Sequence, residues 1–200
     1  MKRKLLVATH NPGKAQEYRE LLSELPFEVT YLDVEGIAFE VEEHGDTLAD
    51  NAILKATAYA QMSGLLTLAD DSGLEVDALD GKPGVHAARY AGPGASDADR
   101  RRKLLNALAG VPWERRTARF RCVIALATPE GTAHTVDGTC EGIIAFGAAG
   151  TNGFGYDPVF YLPEWGMTMA QLAAEEKNRI SHRGQATRKA AQWLEKLAEV

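Results

Sequence analysis

Cysteine is scarce in this chain of 200 residues, which contains only Cys122 and Cys140. Their separation fits none of the short spacings by which cysteine pairs bind metal ions. Two isolated thiols are typical of proteins that fold in a reducing compartment. We therefore predict a cytoplasmic protein whose cysteines are buried thiols.

Long apolar runs and an excess of basic residues are also missing. No stretch approaches the roughly 20 apolar residues of a membrane-spanning helix, and the apolar run at residues 5–8 is too short for a signal peptide. The formal net charge is −6, whereas a nucleic-acid-binding protein carries a basic excess. The basic run at residues 100–103 is more typical of a solvated helix face. We expect no membrane and no nucleic acid as partner, although local cations could bind a small anion.

The apolar content, 45% of the residues, is enough to bury a full core in one domain or in two closely packed lobes. Short or alternating apolar runs predict strands, and apolar residues at helical spacing predict helices. The predicted strands and extended segments are 4–8, 28–32, 37–41, 65–69, 74–79, 117–127, 135–142 and 159–162. The predicted helices begin at Pro12 and cover 47–63, 97–108, 168–177 and the C-terminal segment after Ser181.

One predicted strand ends in the polar sequence Asp70-Asp71-Ser72-Gly73. Gly73 predicts a turn just past the strand, and open α/β sheets bind ligands at such ends. Two adjacent carboxylates repel each other unless a cation or a proton lies between them. One hypothesis is a site for a hard divalent cation in which one Asp is a general base. The alternative is a polar turn whose side chains cap the backbone.

A second polar segment, residues 9–14, follows the first predicted strand. Asn11 predicts a helix N-cap and Pro12 the first helical residue. Unpaired backbone N–H groups at such a terminus suit an anion, and the presence of Lys14 there, against the helix dipole, is easier to explain if an anion binds. The segment lacks the Walker A pattern. The alternative is a plain connection between a strand and a helix.

Two later segments also contain candidate binding residues: one combines glycine, aromatic and acidic residues, and the other places a basic pair after a serine. The glycine-rich loop around Phe154 and Asp157 permits close approach of a ligand, and an aromatic ring can stack on a base. Ser181 predicts an N-cap that puts His182 and Arg183 in the first turn of the last helix, where cations oppose the dipole. These residues suit an anionic or carbonyl-rich ligand. The alternatives are a loop that covers the core and a pair of surface cations.

Glu42 and Glu43 precede the helix predicted over residues 47–63. They are either solvated loop charges or a source of one further ligand for a cation at the adjacent aspartates. On that helix, Asn51 and Lys55 lie one turn apart on the same face.

The segments 9–14, 69–73, 153–158 and 181–184 together resemble the inosine triphosphate pyrophosphatase family, and the resemblance covers essentially the whole chain. It extends to Glu42-Glu43, to residues 51–56, to Pro83-Gly84 and to residues 88–90. His10 departs from the pattern, since family members often have a small residue or Asn there. The resemblance implies a single α/β nucleotide pyrophosphatase domain over residues 1–200. Its expected form is an elongated mixed β-sheet flanked by helices, with two lobes and a central nucleotide-binding cleft, and it is expected to be a homodimer.

The resemblance also implies the reaction. It is the Mg²⁺-dependent hydrolysis of ITP, dITP and XTP to the monophosphate and pyrophosphate, which prevents incorporation of these nucleotides into DNA and RNA. Asp71 is implied as the catalytic base and a metal ligand. Glu42 is favoured as the second metal ligand, and the sequence leaves Glu43 open as the alternative. The residues implied to bind the purine nucleoside triphosphate are Thr9, His10, Asn11, Pro12, Gly13, Lys14, Ser72, Phe154, Gly155, Tyr156, Asp157, Lys177, Ser181, His182 and Arg183.

Two other functions compete with this one. A related pyrophosphatase could act on modified pyrimidine nucleotides, and a nucleotide sensor could bind the same ligand without catalysis. The adjacent Asp70 and Asp71 argue against the sensor, because carboxylates do not help a protein to bind phosphate alone. In the favoured reading, a donor such as His182 or Arg183 faces the 6-oxo group that distinguishes hypoxanthine and xanthine from adenine.

Overall fold

The computed structural model describes residues 2–198. Strands in this part of the chain are β1 (Arg3–Val7), β2 (Phe27–Tyr31), β3 (Leu66–Val76), β4 (Pro83–Gly84), β5 (Thr117–Ala127), β6 (Ala133–Ile144), β7 (Phe160–Leu162) and β8 (Met167–Thr168). The α-helices are α1 (Pro12–Leu21), α2 (Leu48–Ser63), α3 (Asp97–Ala107), α4 (Ala174–Ile180) and α5 (His182–Ala198).

The strands of the described residues form one mixed sheet in the order β2-β1-β3-β5-β6-β7-β8, with β4 paired to β3. Strand β1 lies parallel to both β2 and β3, whereas β4 pairs with β3, β7 with β6 and β8 with β7 in the antiparallel direction. The predicted α/β class with a mixed sheet and flanking helices is therefore confirmed. The predicted cleft stays a prediction.

The chain divides into two compact units. Unit 1 comprises, among the described residues, 2–71, 122–138 and 183–198, and unit 2 comprises 72–121 and 139–182. The core of unit 1 contains Leu66 and Leu68 of β3 with alternate residues of β5 such as Ile124, since a strand turns every second side chain to one face. Helix α5 adds Ala186, Ala190 and Leu194 at helical spacing, as predicted.

Unit 2 has a core of its own. Alternate residues of β3 and β5, among them Leu74 and Phe120, pack with Leu104 and Leu108 of the α3 region, which lie four residues apart on one helical face. Phe160 of β7 stacks against Phe120 with ring centroids 4.3 Å apart. This core anchors the C-terminal end of the glycine-rich loop, because Tyr156 and Val159 belong to it.

The predicted helix starts are confirmed by their capping bonds. The side chain of Asn11 accepts a hydrogen bond from Lys14 N at the start of α1, and that of Thr47 accepts from Asp50 N at the start of α2. Ser96 opens α3 with a capping box. These bonds satisfy N–H groups that have no partner within the helix.

Three predictions of secondary structure were wrong. Strand β3 does not end at Asp70 but continues to Val76, because the apolar alternation resumes after Gly73 and Leu74 pairs with β4. Gly73 is thus part of a strand and not a turn. Residues 37–41 form no strand; Phe39 is 60% exposed there.

The third error concerns residues 168–177, which do not form one helix. Strand β8 ends at Thr168, a 3₁₀ turn covers Met169–Gln171, and α4 begins only at Ala174. The backbone between the turn and the helix is extended, which interrupts the helical hydrogen bonds. The extended segment predicted over 74–79 similarly ends at Val76 and continues as a 3₁₀ turn.

Both cysteines are buried free thiols, as predicted. No helix among residues 2–198 is both long enough and apolar enough to cross a membrane.

Candidate active site

Asp70 and Asp71 lie in the middle of strand β3, with 3% and 5% of their surface exposed. Successive side chains of a strand point to opposite faces of the sheet. The two carboxylates accordingly contact different helices: Asp70 contacts α1 and α5, and Asp71 contacts α2. Neighbours in sequence therefore have separate partners in space.

Asp70 is held by cations from two helices. Lys14 Nζ lies 3.0 Å from Asp70 Oδ2, and Arg183 Nη2 donates to the same oxygen at 3.2 Å. Arg183 Nη1 also donates to Glu17 at 2.7 Å. Burial alone would raise the pKa of Asp70, but the nearby cations, Lys14 first among them, outweigh it and hold the pKa well below its usual range. Asp70 is therefore an ionised anchor for Lys14.

The pKa of Asp71 is shifted in the opposite direction from that of Asp70, because its surroundings differ. Asn51 Nδ2 donates to it at 3.2 Å, and Lys55 Nζ lies 3.6 Å from its other oxygen. Burial raises the pKa of Asp71 above its usual value; the charge of Lys55 opposes this and that of Glu43 adds to it. A carboxylate with a raised pKa and a lysine nearby is suited to accept a proton from water.

A further acid, Glu43, lies beside Lys55. Its carboxylate lies 2.6 Å from Lys55 Nζ, and the same ammonium contacts Asp71. Glu42 is exposed. The choice of Glu42 as a metal ligand stays a prediction, whereas the contacts described here favour Glu43, the alternative that the sequence left open.

The segment predicted to bind phosphate forms the N-terminus of α1. Asn11 N donates to Thr9 Oγ1 at 3.1 Å, and the Lys14 side chain, 14% exposed, turns inward to Asp70. The His10 ring packs edge-on against Tyr59 of α2 with centroids 6.4 Å apart. The six residues of this segment are Thr9, His10, Asn11, Pro12, Gly13 and Lys14.

The glycine-rich loop of unit 2 is organised around Asp157. Asp157 Oδ2 accepts a hydrogen bond from Phe154 N at 2.8 Å and contacts Lys177 Nζ at 2.5 Å. The Lys177 ammonium also lies 4.9 Å from the centroid of the Phe154 ring. Asp157 and Lys177 are only 3% and 4% exposed. The backbone and the ring of Phe154 are thus both fixed by one buried ion pair.

Gly153 makes this arrangement possible. Its φ of +71° is a backbone conformation that side-chain-bearing residues rarely adopt. A Cβ at this position would also overlap the Asp157 carboxylate and crowd Lys177 Nζ. The loop therefore requires glycine for both conformation and space.

Tyr156 and Ser72 occupy different kinds of position in unit 2. Tyr156 is buried, and its hydroxyl donates to Ala87 O at 2.9 Å, so this side chain anchors the loop to the core. Ser72 follows Asp71 directly in β3 and is half-buried.

The segment Ser181-His182-Arg183 is buried throughout, with 1%, 5% and 1% of the surface exposed. Helix α5 begins at His182, directly after Ser181, as predicted. The His182 ring stacks on Phe120 with centroids 4.7 Å apart. A buried imidazole stacked in this way is oriented by the core of unit 2. The alternative of a pair of surface cations is therefore wrong.

Several contacts of the candidate site residues could not be predicted from the sequence. Glu17 is 166 positions from its partner Arg183, and Asn51 is 20 positions from Asp71. The role of Asp97 and Arg101 on α3, which bond to Gly155 of the loop, was also missed. A local pattern contains no signal for such distant contacts.

A magnesium ion would find few protein ligands here. Within residues 2–198 there is no group of three or more His, Cys, Asp or Glu side chains arranged to hold a metal. Mg²⁺ is commonly bound through one or two carboxylates, with water and substrate phosphates as its other ligands. Asp71 and Glu43 already share one cation, the Lys55 ammonium, so their surroundings favour positive charge. The residues fit an ion that arrives with a polyphosphate.

Residues 5–193 match the model of the Ham1 family. The chain is 54% identical to a dITP/XTP pyrophosphatase of Desulforamulus reducens over 194 residues, covering 97% of this chain and 96% of that protein. It is 52% identical to a dITP/XTP pyrophosphatase of Geobacter sulfurreducens, covering 92% of each chain.

Solved structures agree with this match. A HAM1 protein from Coxiella burnetii superposes with a TM-score of 0.87 at 42% identity, covering 99% of this chain and 100% of that one. The Ham1 protein of Staphylococcus aureus gives a TM-score of 0.86, also at 42% identity, covering 98% of this chain and 100% of that one.

Proposed function

Because the chain belongs to the Ham1 family, and its relatives at about half identity over nearly the full length are dITP/XTP pyrophosphatases, we propose that it hydrolyses dITP and XTP. The products are the nucleoside monophosphate and pyrophosphate, and ITP is a substrate of the same class. The observation that carries the proposal is the separation of the two carboxylates: Asp70 is paired with Lys14 and Arg183, whereas Asp71 lies beside Asn51 and Lys55.

The N-terminus of α1 and two lysines bind the phosphates in this proposal. Lys14 is kept near the terminus by Asp70, and Lys55 is kept beside Asp71 by Glu43. Backbone N–H groups and the helix dipole add to the attraction for a triphosphate. Lysine charges of this kind neutralise the negative charge that develops on the leaving pyrophosphate.

Asp71 is the general base. It orients a water molecule and accepts its proton as the water oxygen bonds to the α-phosphorus and the bond to the bridging oxygen breaks. Asp71 and Glu43 would hold Mg²⁺ together with the phosphates. When bound, this ion supplies neutralisation of phosphate charge.

The purine is bound by the loop of unit 2. Phe154 offers a ring whose orientation is fixed by Lys177 and Asp157, and a base can stack on such a ring. A donor facing position 6 accepts hypoxanthine and xanthine, which have an oxo group there, but leaves the amino group of adenine unmatched. An unmatched buried polar contact costs about 1–3 kcal/mol, which is about tenfold to a hundredfold in affinity.

A substrate panel tests the proposal. The enzyme is incubated with Mg²⁺ and each of dITP, XTP, ITP, ATP, GTP and modified pyrimidine triphosphates, and pyrophosphate release is measured. We expect kcat/KM for dITP and XTP to exceed that for ATP by at least about tenfold. Equal turnover of ATP, release of orthophosphate alone, or a preference for a pyrimidine would overturn it. Omission of Mg²⁺ with a chelator tests the metal requirement.

We also propose that the protein is a cytoplasmic homodimer that binds no nucleic acid. The dimer rests on the resemblance and the compartment on the two isolated thiols, and the net charge of −6 supports the last point. Light scattering after size exclusion measures the dimer. Salt-dependent binding to duplex DNA would contradict the exclusion of nucleic acid.

A further inference from the structure

Helix α3 binds both backbone polar groups of Gly155, one in each of the two peptide groups that flank this residue. Gly155 N donates to Asp97 Oδ2 at 2.8 Å, and Arg101 Nη1 donates to Gly155 O at 2.7 Å. Asp97 and Arg101 lie one helical turn apart, so their side chains lie on the same face of α3. Two charged side chains thus bind both polar groups of one loop residue.

This pair of bonds fixes the direction of the loop at the residue after Phe154. Gly155 has a φ of +60°, and a Cβ there would meet nothing within 4 Å. Glycine is therefore needed for the backbone conformation and not for space, and the conformation itself must be maintained by bonds. Asp97 and Arg101 supply these bonds.

Asp97 is itself held in place. Its second oxygen, Oδ1, accepts from Arg100 at 2.6 Å, and Arg100 also donates to Ala88 O and Ala95 O, each at 2.8 Å. The capping box of Ser96 fixes the start of the helix next to it. The contact to Gly155 therefore originates from a rigid support, as a positioning role requires.

We propose that Asp97 and Arg101 are positioning residues, which orient Phe154 for stacking on the purine by clamping the backbone N–H and C=O of Gly155. This inference rests on the proposed function, because Phe154 must be the surface that meets the base. It assigns a specific role to part of the basic run at residues 100–103. Neither residue touches the substrate in this proposal.

The test compares Arg101→Met with Arg102→Met. Methionine keeps the apolar stem of arginine and removes its donors. Arg102 is the next residue of the same helix, has a side chain that is 67% exposed, and pairs with Asp99 at the surface. Both variants lose one positive charge, so a general electrostatic effect would appear in both.

We expect Arg101→Met to raise KM for dITP about tenfold with kcat within about twofold, because a lost hydrogen bond from a charged group weakens binding by roughly that factor. Inhibition by the monophosphate dIMP should weaken by the same factor, whereas inhibition by inorganic pyrophosphate should not change. Arg102→Met should match the wild type in KM, in kcat and in inhibition by dIMP and by pyrophosphate. Arg101→Lys, which retains one donor, should recover most of the loss.

The two clamp residues should also be coupled. If Asp97→Ala and Arg101→Met act through the conformation of the same residue, Gly155, the double variant raises KM by less than the product of the two single effects. Independent effects would contradict a shared role. Thermal melting of each variant identifies one that fails to fold. If Arg101→Met fails, Arg101→Gln, whose shorter side chain also loses the bond to Gly155 O, carries the comparison with Arg102→Gln.

Failure of this inference differs from failure of the proposed function. If wild-type enzyme does not hydrolyse dITP or XTP, the proposed function is wrong. If wild type does, and Arg101→Met equals Arg102→Met, only the clamp is wrong. A loss of kcat and of pyrophosphate inhibition in Arg101→Met would also overturn the clamp, because it would show a general structural role.

Discussion

The charged centre of unit 1 and the glycine-rich loop of unit 2 achieve precision in different ways. In unit 1, Asp70 and Asp71 lie on a strand, and helices bring lysine and arginine to them. In unit 2, Phe154 lies on an irregular loop whose peptide groups are bound one by one by side chains of Asp157, Asp97 and Arg101. Regular elements thus place the charged groups of unit 1, whereas hydrogen bonds to the loop backbone orient the aromatic ring of unit 2.

The phosphates and the base of the proposed substrate place different geometric demands on the protein that binds them. Phosphates are bound by charge, which acts over several ångströms and tolerates small displacements. Stacking on a base depends on the direction of a ring, which a freely moving loop would lose. We therefore expect substitutions in unit 1 to change catalysis or stability, and substitutions in unit 2 to change substrate affinity.

The largest effect is expected for Asp71→Asn. Loss of a general base typically lowers kcat by about a hundredfold to ten-thousandfold, while the lysines that we propose to bind phosphate remain. Pyrophosphate release and the affinity for dITP are measured in parallel. The control Asp137→Asn removes an exposed acid of the same unit and should be neutral. Unchanged turnover in Asp71→Asn would exclude the base role. Binding of dITP by the wild type without any hydrolysis would instead favour a nucleotide sensor.

Asp70→Asn should instead lower stability. It leaves the buried cations Lys14 and Arg183 without their shared anion, which costs about 3–5 kcal/mol in comparable buried pairs. The free energy of unfolding in urea measures this. Asp71→Asn should cost clearly less in the same assay. Equal destabilisation by both substitutions would remove the distinction between anchor and base.

Phe154→Ala tests the loop. Loss of stacking should weaken dITP binding by about 1–3 kcal/mol and raise KM about tenfold to a hundredfold, with little change in kcat. Phe146, which is 66% exposed in the same unit, provides a matched truncation that should leave KM unchanged. Phe154→Trp should retain binding. A fall in kcat without a change in KM would contradict the assignment of this ring to the base.

The same contrast explains how much of the molecule could be predicted from its sequence. Regular elements follow from local patterns: the caps Asn11 and Thr47 and the apolar spacing of α5 all lie where they were predicted. The end of β3 was misplaced because two acids and a glycine resemble a turn, although the pairing of Leu74 with β4 continues the strand. Non-local hydrogen bonding decided that boundary.

The same holds for the candidate site, where residue types could be predicted from the sequence and non-local contacts could not. Residue types indicated Lys14, Asp71 and Phe154 as candidates, but not their partners. Lys177 was predicted on a helix that continues from residue 168, whereas it belongs to the separate helix α4. The Asp97 and Arg101 contacts to Gly155 span 58 and 54 positions, and only the fold brings them together.

The smallest expected effect concerns the pH dependence of stability, measured in metal-free protein with a chelator. The pKa of Asp70 is lowered on folding, so its contribution is present above its unfolded pKa near 4 and is lost as the pH falls through the folded value. The pKa of Asp71 is raised, so the folded state binds that proton more tightly and its contribution is lost as the pH rises through the raised value.

The two carboxylates should therefore give opposite slopes. Relative to wild type, Asp71→Asn should become more stable as the pH rises from about 3 to 7, whereas Asp70→Asn should become less stable over the same range. Urea unfolding at several pH values gives both curves. Parallel slopes for Asp70→Asn and Asp71→Asn would mean that one environment acts on both carboxylates, and the separate roles of anchor and base would lose their electrostatic cause.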